Sequence, residues 1–137
     1  MRFFYYQVKY RIKNSRKLLK SLEEVIRNYN YIPGDLNYII TNNREIKELN
    51  KKFLKHNYAT DVISFKYDEG NVINGEVYIS IEKVKANARK YRVSVKNELE
   101  RVLIHGTLHL CGFLDYNEKE REKMRSEENL WIEKFGD

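Results

Sequence analysis

At 137 residues the chain has room for one domain with a sizeable core, and one domain over 1–137 is expected. Its apolar runs fall far short of the roughly 18 residues a membrane span needs, so no membrane partner is expected. The N-terminus, charged at Arg2 and then alternating, lacks the apolar run of a secretory leader. A single cysteine rules out an internal disulfide and fits the reducing cytoplasm, the expected location. The net charge of +6 is uneven: Arg2, Lys9, Arg11, Lys13, Arg16, Lys17 and Lys20 fall in the first twenty residues, with no acid among them. Such a block marks either a face for a polyanion or a solvated surface.

Phe4, Tyr6, Val8, Tyr10 and Ile12 alternate, which predicts a strand with that face buried. Leu18, Leu19, Leu22, Val25, Ile26 and Tyr29 follow a helical period, with Asn14 or Ser15 as the cap. Pro33, Gly34 and Asp35 predict a turn, and residues 36–41 a second strand. A helix capped at Asn42 or Asn43 follows, with Ile46, Leu49 and Phe53 inward and an end near Lys55. Strands are predicted over 61–65 and 75–79, with a polar loop over 68–74 between them. With no helix separating the two, an antiparallel pair is expected. Ser80 caps a helix reaching about Tyr91, and Ser94 caps the next, over 95–111. Asn117 with Glu120 forms a variant capping box ahead of a last helix with Met124, Trp131, Ile132 and Phe135 inward. The order is βαβαββααα: an α+β domain with a small mixed four-stranded sheet and about five helices.

The chemistry concentrates in His105-Gly106-Thr107-Leu108-His109-Leu110-Cys111-Gly112-Phe113-Leu114-Asp115. It holds two of the three histidines inside an uncharged stretch, residues 102–114, of a chain that is 34% charged. Buried imidazoles need partners. Four residues apart on a helix, His105 and His109 share a face one turn apart, the pair zinc proteins use. Gly112 can end the helix in the left-handed region and let Asp115 return to the same ion. His105, His109 and Asp115 are therefore the candidate metal ligands. Three protein ligands with an open fourth position make a catalytic rather than structural zinc arrangement. The bland alternatives are two hydrogen-bonded core histidines and an Asp115 that only shapes the turn. Cys111 lies about 200° round the helix from His109 and is expected in the core. His56, in a polar loop, is expected to be solvated. The spacing is similar to that of metzincin proteases, but Gly106 stands where those carry their glutamate base, which disfavours peptide hydrolysis.

The stretch 105–113 also resembles the HGxLHLxGY signature of the YbeY family of ribosomal-RNA maturation endoribonucleases. Glu48-Leu49-Asn50-Lys51-Lys52-Phe53 with Thr60-Asp61-Val62-Ile63-Ser64-Phe65 resembles that family's ELNxxYR and PTDVLSF blocks, and Gly75-Glu76-Val77-Tyr78-Ile79-Ser80 its GDIxIS segment. The resemblance implies a metal-dependent, single-strand-directed endoribonuclease acting on the small-subunit 3′ end. It implies one Zn2+ per chain, with ribosomal RNA and the small ribosomal subunit as partners. His105 and His109 carry over as ligands. Asp115 stands where the family has histidine, Leu54 where it has a functional arginine, and Ala59 where it has proline. Lys52 and Lys55 are the cations nearest that missing arginine, and with Lys51 they are the candidate RNA contacts. The alternative is a non-catalytic, metal-stabilised RNA-binding factor of ribosome assembly.

Overall fold

The computed structural model describes residues 1–54 and 60–136. Lys55, His56 and Ala59 lie outside the described residues, as does the side chain of Leu54. The elements are β1 (Arg2–Tyr5), α1 (Ser15–Asn28), β2 (Ile32–Thr41), α2 (Asn43–Leu49), β3 (Val62–Lys66), β4 (Val72–Ser80), α3 (Ile81–Tyr91), α4 (Val95–Leu110) and α5 (Glu118–Phe135). This is the α+β order expected. The sheet runs β1-β2-β4-β3, with β1 and β4 parallel to β2 and β3 antiparallel to β4. The strand pair with no helix between its members is thus the antiparallel one.

Helix α4 is the spine of the domain. Leu99, Leu103, Ile104 and Leu108 are buried on it, against Tyr38, Ile40, Val77 and Ile79 of the sheet and Leu22, Val25 and Ile26 of α1. The Tyr38 hydroxyl donates to Thr107 Oγ1 at 2.7 Å, and Thr107 donates to the Leu103 carbonyl at 2.8 Å. Both polar groups are thereby satisfied in the core. Gly106 lets the helix approach this closely. A Cβ there would stand 2.7 Å from Val77 Cγ1 and 3.0 Å from Val62 Cγ2. Ser64 of β3 donates to the Gly106 carbonyl at 2.9 Å through the space so left. Helix α5 is closed on α1 by Tyr29, whose hydroxyl donates to Glu127 and accepts from Trp131 Nε1 at 2.9 Å.

Three local expectations are corrected. The first strand stops at Tyr5, and its inward side chains are Phe3 and Tyr5; Phe4 and Tyr6 are 45% and 50% exposed. Gln7 takes a left-handed φ of 59°, which shifts the alternation by one, so that Val8, Tyr10 and Ile12 do pack on the core from irregular chain. Pro33, Gly34 and Asp35 do not turn the chain. They lie inside β2, where a register shift between Pro33 and Leu36 absorbs them. The helix after Asn42 changes to a π-helical turn over Asn50–Leu54, whose wider winding rotates Phe53 off the inner face. Phe53 is 55% exposed and sits edge-on to Phe65.

Caps at Asn42, Ser80 and Ser94 each accept a hydrogen bond from the third residue on, and Asn117 with Glu120 forms the full reciprocal box. Asn14 heads α1 in a left-handed conformation without a side-chain cap bond.

Candidate metal centre

His105 and His109 project from one face of α4 with ring centroids 4.7 Å apart. The helix then ends in a Schellman motif. The Phe113 amide donates to the Leu108 carbonyl at 3.0 Å and the Gly112 amide to the His109 carbonyl at 3.1 Å. Gly112 has φ +93°, a value that carries no Cβ penalty in glycine. This turn brings Asp115 back over the imidazoles. Asp115 Oδ2 lies 3.4 Å from His105 Nε2 and 3.3 Å from His109 Nε2. All three candidate ligand atoms fall within 4.8 Å of one another, so the group can hold a metal ion. Cys111 is buried away from these groups, and burial pushes its thiol up to about 12.

Glu128 of α5 faces the other nitrogen of His105. Its Oε2 is 2.6 Å from Nδ1, and its Oε1 accepts from Arg101 Nη1 at 3.1 Å. Arg101 Nη2 donates to Asn129 at 2.9 Å. Glu128 is 7% exposed, a buried carboxyl group with a partner at each oxygen. The sequence reading missed both Glu128 and Arg101. The available signal was an acid on an inner stripe: Met124, Glu128, Trp131 and Phe135 are the buried residues of α5.

Burial pushes the His105 imidazole down, but the Glu128 hydrogen bond and the charges of Glu128, Asp61 and Asp115 outweigh it, and its pKa ends above the ordinary 6.5. His109 ends below 6.5, driven by burial and by the neighbouring His105 against the pull of Asp115. The pair therefore titrates apart, with His109 the readier neutral ligand.

The three groups open on a cleft of about 720 Å³ that also borders Asn50, β3 and Tyr116. Its charged lining beyond the histidines is Asp61, Glu98, Asp115 and Glu128 against Lys66 and Arg101. Burial raises the Glu98 carboxyl. Of the expected RNA contacts, Lys51 and Lys52 are exposed on the π-helical turn and do not line the cleft. No described helix is long and apolar enough to cross a membrane.

The family described as endoribonuclease YbeY matches residues 5–136. The endoribonuclease YbeY of Flavobacterium psychrophilum is 38% identical over 132 residues, which cover 96% of this chain and 94% of the relative. That of Flavobacterium johnsoniae is 37% identical, covering 96% and 95%. The solution structure of a Thermotoga maritima protein superposes with a TM-score of 0.65 at 32% identity, covering 98% of this chain and 89% of that one.

Proposed function

The chain belongs to the YbeY endoribonuclease family, and from that premise we propose that it is a zinc-dependent endoribonuclease acting on single-stranded segments of ribosomal RNA. In this reading residues 1–137 form one hydrolase domain. It works in the cytoplasm on the small ribosomal subunit, where it matures the 3′ end of the RNA. His105, His109 and Asp115 would hold one ion. The observation that carries this is donor spacing. Ligands about 2.0–2.1 Å from a tetrahedral zinc stand about 3.3–3.4 Å from one another. The Asp115 oxygen stands 3.4 and 3.3 Å from the two imidazole nitrogens.

A zinc ion bound there supplies Lewis-acid chemistry, stabilising charge on a phosphoryl oxygen and acidifying water. The protein's own part is preorganisation. Glu128 accepts a hydrogen bond from His105 Nδ1–H, which fixes the tautomer that leaves Nε2 free to ligate. Arg101 donates to the second oxygen of Glu128 and so keeps that carboxylate oriented. Gly112 sets the turn that delivers Asp115.

The test joins metal content to cleavage. His109→Ala is expected to drop bound zinc well below one per chain, and His105→Ala to abolish cleavage of single-stranded ribosomal RNA. Full metal retention in His109→Ala would overturn the ligand assignment. The second reading, a non-catalytic assembly factor, is favoured by Leu54 standing where the family carries arginine. RNA binding without cleavage under zinc, manganese and magnesium alike would establish it instead.

A further inference from the structure

The block of seven cations in the first twenty residues has no part in the metal centre. The fold gathers some of them into a second concavity. The segment after β1 and the start of α1 face α3 and the N-terminal half of α4 across a groove of about 580 Å³. Arg11, Lys13, Lys17, Lys85 and Lys96 line it, all exposed, around a floor that includes Leu18, Leu99 and Phe135. The one acid in the lining, Glu100, is buried and already paired with Lys96 at 3.1 Å. Among the described residues Lys13, Lys17 and Lys85 pair with no carboxylate. Arg11 is held in place by the Val8 and Tyr10 carbonyls, at 3.0 and 2.9 Å. The Lys85 ammonium sits 5.6 Å from the Tyr10 ring centre.

The metal cleft has the opposite balance. Its four carboxylates exceed its two cations by two, so a divalent ion would bring it only to neutrality. A polyanionic strand therefore meets no net attraction at the cleft itself. The groove borders the same helix on its other face: Lys96 and His105 are nine residues apart, about 14 Å along the axis and about 180° round it, so a strand joining the two passes around α4. From this contrast we propose that the groove is an RNA-anchoring site, taking backbone phosphates of a strand whose reactive segment lies in the cleft. The choice of RNA over another polyanion rests on the endoribonuclease reading. Cations ringing a groove with an aromatic in its wall are also the usual build of a single-strand binding surface.

The experiment compares two charge-reversal triples in the full-length, zinc-loaded chain. One is Lys13→Glu, Lys17→Glu and Lys85→Glu, in the groove. The other is Lys47→Glu, Lys90→Glu and Lys119→Glu, equally exposed and outside it. Binding of a short fluorescent oligouridylate is read by anisotropy across a salt series, with the oligonucleotide checked for integrity and each variant for melting temperature and zinc content. The groove triple should bind about tenfold more weakly than wild type. Its log–log salt slope should be shallower by about two, since each single-strand phosphate contact contributes about 0.7. The control triple should keep most of the wild-type slope, with zinc content unchanged in both. Equal slopes in the two triples would overturn the groove, as would tighter binding of polyglutamate than of oligouridylate. The endoribonuclease reading fails separately, if wild type binds the oligonucleotide through the groove and never cleaves RNA.

Discussion

Glu128 is the residue on which the geometry of the candidate metal centre turns. It is 23 positions from His105 in sequence and 2.6 Å from its Nδ1 in space. Glu128→Gln keeps the shape of the side chain but removes its charge, and its amide can donate to Nδ1 and favour the wrong tautomer. Zinc affinity should fall about 10–100-fold, read by competition with a chromogenic chelator, while circular dichroism stays unchanged. Acid should act in the same direction. The raised pKa of His105 means that it carries a proton at a pH where an ordinary histidine has lost it. That proton must leave Nε2 before the ion binds. Apparent affinity should therefore begin to fall as pH drops while still above 6.5, the ordinary histidine value. Once the ligand is protonated the fall should reach about tenfold per pH unit. A chelator-competition series between neutral and mildly acidic pH checks this; affinity flat to below pH 6.5 would contradict the raised value. The clustering of His105, His109 and Asp115 was legible from the sequence because the two histidines stand one helical turn apart and a glycine lies between them and the aspartate. Glu128 and Arg101 were not, because a partner supplied by another helix leaves no spacing to read.

At the scale of elements, the contact between α4 and the sheet decides where the imidazoles stand. Gly106→Ala would place a methyl 2.7 Å from Val77 Cγ1 and 3.1 Å from Ser64 Oγ. The helix must lift or the sheet must give, at a cost of about 1–3 kcal/mol. Urea titration should show a lower midpoint with an unchanged slope. The same crowding explains why the position that holds the glutamate base in metzincin-like motifs is a glycine here: the helix face carrying it is pressed onto β3 and β4. Element order, helix caps and the antiparallel β3–β4 pair could be read from periodicity and turn chemistry. The slips at Gln7, in β2 and at Asn50–Leu54 could not. Each is a one-residue change of phase forced by tertiary packing, and a single alternation pattern carries no trace of it.

For the molecule as a whole, an ion held only by the folded state adds stability by mass action. With free zinc at a hundredfold excess over its dissociation constant the gain is about 2.7 kcal/mol. Melting followed by calorimetry, with zinc and with a chelator, should show a higher transition with metal. The hydrophobic core does not depend on that gain, since the packing of α1, α4 and the sheet is built from aliphatic and aromatic side chains. The size of the shift has a limit, set by how compactly the candidate ligands are written into the chain. His105, His109 and Asp115 lie within eleven consecutive residues, 105 to 115. An unfolded chain keeps those three side chains near one another and retains some affinity for zinc, which subtracts from the stabilisation. The denatured chain cannot keep the long-range grip of Glu128, together with the rigid winding of α4. Thermal stabilisation by zinc therefore measures the difference between a donor cluster that sequence proximity provides and one that the fold has finished, and Glu128→Gln should shrink that difference.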